Sequence, residues 1–330
     1  MPKILLIREN LKGGTDNYCK VLHRLLGHDN DCQVLPVTDI PHVKSALYHY
    51  KYEEQVLRPY IEQADIVHVN GYTAQGTIDA MRLAHRLGKK IVYTGHWHPF
   101  SCLRHPALGK LFFNMKMKRA IMRYADVVTT INNEDTRFFS SFFPNVVQIP
   151  HPLNEQCRTD EPSEASIGQR DPQMILFVGR IDDPVKGFEQ IYALPEGHYH
   201  IHCVGKGVLP AERSDITHHV NIPTEELTAL YQKASLLVVP SKYEAFCFVA
   251  LEALSQGVPV VMSERVRIAD YLTGTAGWAV YRYGDTKDFI AKVEQTLGQT
   301  VSIDRIRHIF DPQAIAGKYK QIYLEVRGEK

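Results

Sequence analysis

Short apolar segments alternate with longer amphipathic segments along most of this 330-residue chain, and this alternation restricts the fold more than any other feature. In the first half, segments rich in β-branched residues predict strands at 3–8, 33–37, 66–70, 90–94, 127–131 and 146–149. Apolar residues at helical spacing predict helices at 15–26, 53–63, 75–87, 108–124 and 134–141. This order predicts a doubly wound parallel sheet, and therefore a Rossmann-like α/β domain over residues 1–150.

The same alternation returns in the second half. Predicted strands lie at 174–179, 200–204, 236–239 and 258–262, and predicted helices at 186–193, 224–233, 246–256 and 286–297. Residues 149–172 contain four prolines and little periodicity, so we assign 151–172 to a linker and 173–310 to a second Rossmann-like domain. Asp311-Pro312 predicts the start of a final helix within 311–330. Two such domains form a cleft, where ligands commonly bind.

The composition argues against several classes of protein. Lysine and arginine together number 38 and aspartate and glutamate 37, a balance that is unusual for a dedicated nucleic-acid binder. The six cysteines are scattered without a Cys-x-x-Cys pair, which favours free thiols in a reducing compartment. The first residues lead directly into a predicted strand, and no apolar segment is long enough to span a bilayer. We therefore expect a cytoplasmic protein.

Two glutamates, Glu244 and Glu252, mark the most informative segment. The apolar strand 236–239 stops at Pro240, and the helical pattern 246–256 follows. Glu244 thus lies beyond the carboxyl end of a strand, where open α/β sheets bind ligands, and Glu252 lies about two turns into the helix. Carboxylates beside a helix N-terminus suit a ligand with vicinal hydroxyls and a phosphate. A glycosidase pair is an alternative, but the shared strand-loop-helix unit favours a nucleotide-sugar site.

Cations and glycines follow several other predicted strands. Arg180 and Lys186 come after the first strand of the second half, where they can bind a diphosphate or be ordinary solvated cations. Glycine in such a turn lets backbone N–H groups approach an anion, although a tight βα turn also selects it. The glycines with this placement are Gly13, Gly14, Gly179 and Gly205. Together these residues predict phosphate binding.

The histidines offer a metal site as a competing interpretation. His96, His98 and His105 lie close together in sequence, and His-x-His is a known ligand spacing. We nevertheless expect no metal here and a substrate contact for His96. His218 and His219 precede a strand-like segment and are expected at the surface.

The second half also carries a series of short motifs over 174–297. They are Phe177-Val178-Gly179-Arg180, Lys186-Gly187, Val204-Gly205-Lys206-Gly207, Pro240-Ser241, Glu244, Phe246, Leu251-Glu252-Ala253 and Gly257-Val258-Pro259-Val260-Val261. This half resembles the donor domain of retaining GT-B glycosyltransferases of family 4, with the Glu-x7-Glu spacing as its most specific element. The first half is similar more loosely, at Gly13-Gly14, at Tyr93-Thr94-Gly95-His96 and at Ile149-Pro150-His151-Pro152. The resemblance implies the GT-B fold, two Rossmann-like doubly wound domains facing across a cleft.

The resemblance also implies a role for each candidate residue. Arg180 and Lys186 would neutralise the donor diphosphate, Glu244 would bind hydroxyls of the transferred sugar and Glu252 those of the ribose. Backbone amides at the helix start would meet phosphate or sugar, and these belong to Phe246, Cys247, Phe248 and Val249. His96 would lie on the acceptor side near the sugar, and the last helix would cross back to the first domain. The implied reaction retains configuration and needs no metal or other cofactor.

The chain departs from the family pattern at several positions. Cys247 replaces the usual glycine after the phenylalanine of the glutamate loop, and His96-Trp97 replaces the usual His-Asp. His151-Pro152 and the region of Arg265-Val266-Arg267 also differ. Two alternatives to a transferase therefore stay open, namely a nucleotide-sugar hydrolase or epimerase on the same scaffold, and a two-lobed protein that only binds the nucleotide sugar.

A basic helical segment, 110–123, bears on the acceptor. Its cations Lys110, Lys116, Lys118, Arg119 and Arg123 are interleaved with Leu, Phe, Met and Ile. Such a helix can dock on an anionic membrane, or it can pack its apolar side on the sheet with its cations solvated. The expected partners are thus a nucleotide-sugar donor and a saccharide or lipid-linked saccharide acceptor, with peripheral membrane contact through this segment and no nucleic acid.

Overall fold

The computed structural model describes residues 1–8, 14–27, 29–45, 49–71, 75–96, 110–111, 113–153 and 170–328. Two compact units divide the chain, one formed by Met1–Pro152 with Asp311–Lys330 and the other by Leu153–Phe310. Most of the predicted linker, 154–169, lies outside the described residues. Each unit contains one six-stranded sheet, in which every strand pair is parallel.

The first unit is built on a sheet with the strand order β2-β1-β5-β6-β7-β8. Its strands are β1 (Lys3–Arg8), β2 (Gln33–Val34), β5 (Ile66–Asn70), β6 (Lys90–Thr94), β7 (Val127–Thr130) and β8 (Val146–Gln148). The helices are α1 (Gly14–Leu26), α2 (Glu54–Glu62), α3 (Gln75–Arg86), α4 (Lys118–Tyr124) and α5 (Asn133–Ser140). A separate antiparallel pair, β3 (Val43–Ser45) and β4 (His49–Lys51), completes the unit and was not predicted.

The second unit repeats this architecture with the strand order β11-β10-β9-β12-β13-β14. Its strands are β9 (Met174–Val178), β10 (His200–Val204), β11 (Ile216–His219), β12 (Leu236–Val239), β13 (Val260–Ser263) and β14 (Trp278–Tyr281). The helices are α6 (Thr224–Lys233), α7 (Phe248–Ser255), α8 (Thr286–Thr296) and α9 (Ile303–Ile309), with 3-10 turns at Phe188–Ala193 and Arg267–Tyr271. The doubly wound α/β class predicted from the sequence is thus confirmed.

The structure corrects several local predictions. α7 begins at Phe248 rather than 246, so Glu252 is its fifth residue and lies little more than one turn from its start. The segment predicted as one helix over 108–124 contains a π-helical turn, Phe113–Met117, before α4. His218 and His219 were placed ahead of a strand at the surface, but they lie within β11 and are partly buried.

The last helix, α10 (Pro312–Arg327), packs onto the sheet of the first unit. The Asp311 side chain caps it by accepting a hydrogen bond from the Ala314 N–H at 2.8 Å, and Pro312 occupies its first turn. Its apolar side enters the core formed by β1 and α1 through Ile315, Ala316, Tyr319, Ile322 and Tyr323. Burial of this side, rather than helix propensity, holds α10 in place.

A buried polar chain joins α10 to the strands beneath it. The Tyr323 hydroxyl lies 2.8 Å from His68 Nδ1, and His68 Nε2 lies 2.6 Å from the Thr94 hydroxyl, which in turn contacts Thr129. His68, Thr94, Thr129 and Tyr323 are fully buried. Burial is the main reason that the pKa of His68 is lowered to about 3, with a smaller contribution from His96. The ring is therefore neutral at physiological pH and has one donor and one acceptor for its two partners.

Replacing Tyr323 with phenylalanine tests this attachment. Tyr323→Phe removes one partner and leaves a buried His68 nitrogen without its hydrogen bond, so we expect a loss of about 1–3 kcal/mol in the free energy of unfolding. Guanidinium denaturation at pH 7 measures the loss. The matched control is Tyr60→Phe in α2, whose partly buried hydroxyl makes no hydrogen bond within the described part of the chain. Equal stability of the two variants would contradict the proposed attachment.

Candidate functional site

The candidate site of the second unit lies in the loop that joins β12 to α7. All four residues of β12 are buried, so the polar residues after it are the first that can meet a ligand. The backbone of Glu244 is held on both sides, because its N–H donates to the Arg265 carbonyl at 3.2 Å and its carbonyl accepts from the Arg267 N–H at 3.0 Å. These bonds place the Glu244 side chain beyond the carboxyl edge of the sheet.

Glu244 forms an ion pair with Lys186. The Lys186 Nζ donates to Glu244 Oε1 at 2.6 Å, and the Ser241 hydroxyl donates to the same oxygen at 3.1 Å. Burial alone would lower the pKa of Lys186, but the charge and hydrogen bond of Glu244 outweigh it and the pKa is raised. The ammonium therefore stays charged, and within the described residues Glu244 Oε2 accepts no hydrogen bond. The pair presents positive charge and an acceptor oxygen side by side.

Close backbone approaches bring the strand ends together. Gly187 has φ +66°, and a Cβ there would overlap the carbonyl oxygen of Pro240. Gly205 has φ +153°, and a Cβ there would overlap the carbonyl oxygen of Gly179. Each of these glycines is thus required by packing between loops after different strands. Gly179 and Gly205 were predicted as phosphate-binding residues, and that role stays a prediction.

Arg180 has a different partner from Lys186. Its guanidinium forms an ion pair with Asp183, and the side chain is 66% exposed. Burial alone would raise the pKa of Asp183. The hydrogen bond from the Val185 N–H and the hydrogen bond and charge of Arg180 have a larger effect, so the pKa is lowered. The two predicted diphosphate ligands therefore contact separate carboxylates.

Glu252 lies on α7 beside a tyrosine of α6. The Tyr231 hydroxyl donates to Glu252 Oε2 at 3.2 Å, and Tyr231 is itself buried. Phe246 is buried against the rings of Phe248 and Phe310, so that its backbone rather than its side chain faces the loop. Phe248 and Val249 are the first two residues of α7, so their backbone amides lie at its N-terminus.

Cys247 caps α7 in an unusual backbone conformation. Its φ is +95° and its ψ +85°, a region that side chains rarely adopt, and it is one of two non-glycine residues with positive φ in the described chain. Burial, followed by the negative charge of Glu244, raises the pKa of its thiol to about 12. The thiol is therefore protonated, and the backbone carries strain at the start of the helix.

The partly buried His96, a predicted site residue of the first unit, lies in a cluster with His151 and Tyr18. The rings of His96 and His151 stack at 5.3 Å between centroids, and Tyr18 packs against both at 4.7 and 4.9 Å. Asn70 donates its amide to the His68 carbonyl at 3.1 Å, so its Oδ1 accepts from His96 Nε2 at 2.8 Å. Burial lowers the pKa of His96 to about 3, which leaves Nδ1 as a neutral acceptor without a partner among the described residues.

Several predicted positions fall elsewhere. Gly14 is the exposed first residue of α1, whereas Gly13, His98 and His105 lie outside the described residues. The residues that sequence reasoning missed as site partners are Asn70, Asp183, Tyr231 and Ser241. Ser241 lies three residues before Glu244 and could have been found from that spacing. Asp183 lies three residues after Arg180 and could have been found in the same way, whereas Asn70 and Tyr231 are joined to their partners by folding.

The described residues contain neither a group of side chains placed to bind a metal nor a membrane-spanning helix. Among them, no group of three or more histidine, cysteine, aspartate or glutamate side chains is placed to hold a metal ion. Within the same part of the chain, no helix has both the length and the apolar character needed to cross a membrane.

Comparison with known proteins finds a family match within the second half of the chain. Residues 172–299 match the family model described as Glycosyl transferases group 1. The chain is 38% identical over 114 residues to an uncharacterized glycosyltransferase of Methanocaldococcus jannaschii, covering 30% of this chain and 29% of that protein. It is 25% identical over 229 residues to the MMP alpha-(1->4)-mannosyltransferase of Mycolicibacterium hassiacum, covering 60% of this chain and 53% of the relative. Both matches span less than two thirds of the relative's length.

A solved structure with the same fold covers almost the whole chain. HepE of Anabaena, in complex with UDP-glucose, has a TM-score of 0.74 at 13% identity, with 98% of this chain and 100% of that chain covered. Together with the two parallel sheets, this similarity confirms the GT-B fold class that the sequence motifs implied.

The buried histidines predict how stability depends on pH. The pKa values of His68 and His96 are lowered to about 3 and that of His151 is also lowered, mainly by burial, whereas unfolded histidines bind protons near pH 6.5. Below pH 6.5 the unfolded state therefore binds more protons, and stability falls on acidification by up to about 1.4 kcal/mol per pH unit for each histidine. Urea denaturation between pH 7 and pH 5 measures the slope, above the range in which carboxylates titrate. His198→Gln, which alters an exposed ring, is the control; constant stability across this range would show that the folded rings take up protons.

The strained cap predicts an unusual order of variant stabilities. Cys247→Gly and Cys247→Ala both remove the thiol, but only glycine adopts φ +95° without strain, so we expect the glycine variant to be about 1 kcal/mol more stable. Thermal unfolding of the two variants checks this difference. At Ala250, in the interior of α7, glycine should instead cost about 1 kcal/mol. If Cys247→Ala is the more stable variant, the backbone is not strained at this position.

Proposed function

Because residues 172–299 belong to the glycosyl transferases group 1, we propose that this chain is a glycosyltransferase. It moves a hexose-type sugar from a nucleotide-diphosphate sugar, UDP- or GDP-linked, to an acceptor hydroxyl with retention of configuration. The observation that carries the proposal is the Lys186–Glu244 pair beside the start of α7. A cation for phosphate from the loop after β9 therefore lies beside an acceptor for hydroxyls and the amides of a helix N-terminus in the loop after β12.

Lys186 acts on the leaving group in the proposed reaction. When the bond between the anomeric carbon and the phosphate oxygen breaks, negative charge develops on the departing nucleoside diphosphate. The Lys186 ammonium has three N–H donors and gives one to Glu244, so two can stabilise this charge. Arg180 is exposed and exchanges Asp183 for the diphosphate, while the dipole of α7 adds positive potential.

The glutamates orient the donor. Glu244 Oε2 accepts a hydrogen bond from a hydroxyl of the transferred sugar, since Lys186 and Ser241 already donate hydrogen bonds to Oε1. Glu252 accepts hydrogen bonds from the ribose hydroxyls, and the Tyr231 hydroxyl fixes its orientation by donating a hydrogen bond to Oε2. The acceptor oxygen then bonds to the anomeric carbon on the face that the diphosphate leaves, and its proton passes to the departing phosphate oxygen. No covalent glycosyl-enzyme forms and no metal takes part.

Other observations support the finer parts of the proposal. The complex of HepE with UDP-glucose supports a UDP-sugar donor. Exposed apolar side chains, Leu111, Met115 and Met122, accompany the cations of the basic segment, which supports a lipid-linked acceptor at the inner face of the cell membrane. On this basis we place the reaction in the cytoplasm, in assembly of a cell-surface polysaccharide, lipopolysaccharide or glycolipid.

Donor binding is the first test. We expect one nucleotide in a panel of UDP-, GDP-, ADP- and CMP-sugars to raise the melting temperature, because a ligand that binds the folded state stabilises it by mass action. Lys186→Ala and Glu252→Ala should each weaken binding about tenfold or more, since each removes a charged hydrogen bond. The matched controls are Lys287→Ala and Glu225→Ala, which change exposed residues of α8 and α6.

The products distinguish the remaining alternatives. NMR of the product should show the anomeric configuration of the donor, in the presence of a chelator. Turnover of the donor without any acceptor would instead favour a hydrolase or epimerase. Binding without turnover across an acceptor panel would favour a binding protein, and no stabilisation by any nucleotide would remove the basis of the proposal.

A further inference from the structure

Two neighbouring helices of the first unit line a surface pocket that contains none of the proposed donor-binding residues and shares Lys116, Arg119 and Arg123 with the basic segment. α3 connects β5 to β6, and the segment of the π-helical turn and α4 leads into β7, so both helical segments run from the carboxyl edge of the parallel sheet toward its amino edge. They pack side by side and line an open surface depression of about 320 Å³, in which the cationic side chains are exposed. The pocket is lined by Gln75, Ile78, Arg82, Lys116, Arg119, Ala120, Arg123 and Tyr124.

The polar lining follows matching helical rows. Gln75 and Arg82 are seven residues apart on α3, and Lys116 and Arg123 are seven apart on the adjacent segment. Residues at this spacing lie on one side of a helix, so the two rows oppose each other across the cavity. Arg119 lies between Lys116 and Arg123 in its row. Four cations are thus directed to one cavity from two directions.

The residues that line this pocket include four cations and no carboxylate. Asp79 bonds Arg82 at 2.7 Å and Gln75 at 3.0 Å, but no carboxylate lines the cavity itself. Arg119 and Arg123 are one helical turn apart, where like charges destabilise a helix. The described residues from 113 to 125 include no acidic side chain that could relieve this repulsion. An anion bound between the rows would relieve it.

We propose that this pocket binds a phosphomonoester. Guanidinium groups donate pairs of N–H groups in the geometry that phosphate oxygens accept, and a phosphomonoester carries close to two negative charges at neutral pH. Ile78, Ala120 and Tyr124 supply apolar surface for the carbon part of the ester, and the volume is at the lower end of the range for small-molecule sites. The phosphate belongs either to a soluble ester or to a lipid headgroup.

This site is independent of sugar transfer. Lys186 and Glu244 belong to the second unit, whereas all the lining residues belong to the first. It gives the basic segment a specific ligand in place of general attraction to an anionic surface. Exposed Leu111, Met115 and Met122 on the same segment would contact acyl chains if the phosphate is borne by a lipid.

The test measures binding of two probes to four proteins. The probes are inorganic phosphate, followed by isothermal titration calorimetry, and vesicles of phosphatidylcholine with or without phosphatidic acid, followed by co-sedimentation. The proteins are the wild type, Arg119→Gln with Arg123→Gln, Lys186→Ala, and the charge-matched control Lys287→Gln with Lys292→Gln. Removing the two arginines also removes a repulsion within α4, so we expect this variant to fold, and its thermal unfolding checks that.

We expect the variant with Arg119→Gln and Arg123→Gln to bind phosphate about a hundredfold more weakly than the wild type, about tenfold for each charged hydrogen bond lost. Lys186→Ala and the control pair should retain binding, which separates this site from the donor site. Binding of both probes would indicate a general phosphate site, and binding of phosphatidic acid vesicles alone a lipid headgroup site. Loss of phosphate binding in Lys186→Ala but not in the arginine variant would overturn the proposal. So would equal binding of vesicles without phosphatidic acid, or no binding of either probe.

Discussion

Both sheets are parallel and carry helices on both faces, and this arrangement determines where polar chemistry can occur. Strands β9 and β12 are entirely apolar, and β5 buries its two polar residues, because neither face of such a sheet meets water. Polar groups that need a ligand must therefore lie in the loops after the strands. In the second unit the loops after β9 and β12 supply Lys186 and Glu244, and Gly187 lets them approach closely enough for an ion pair.

The two units treat ionisable groups in opposite ways. In the second unit, Lys186 remains charged because Glu244 compensates for its partial burial. In the first, burial lowers the pKa values of His68, His151 and the partly exposed His96, so the three rings are held neutral. A charged pair suits binding of a diphosphate, whereas a neutral imidazole that Asn70 orients can only accept or donate a hydrogen bond. The Lys186–Glu244 pair of the second unit is therefore charged, whereas the three histidines of the first unit are neutral.

How much the sequence could predict depended on whether the signal was local. The bounds of β1, β5, β6, β10 and β12 were predicted as observed, because each strand is rich in apolar residues and ends at or before a polar or turn residue. β11 was missed because Thr217, His218 and His219 interrupt its apolar character, and its stability comes from pairing with β10. The Glu-x7-Glu motif located the candidate loop. The contacts of Arg180 with Asp183, of Glu252 with Tyr231 and of His96 with Asn70 depend on side-chain directions that no pattern specifies.

The position of α10 has a consequence for how the protein is made. The contact between His68 and Tyr323 joins residues 255 apart in the chain, and Asp311–Lys330 belongs to the same unit as the N-terminal residues. When synthesis reaches residue 152, that unit still lacks the helix that covers β1 and α1. Its apolar surface therefore stays open on the ribosome while the whole second unit is translated, for roughly 10–30 seconds at typical synthesis rates. Residues 311–330 complete a unit whose other residues were made before the second unit, and chaperones have that interval in which to bind it.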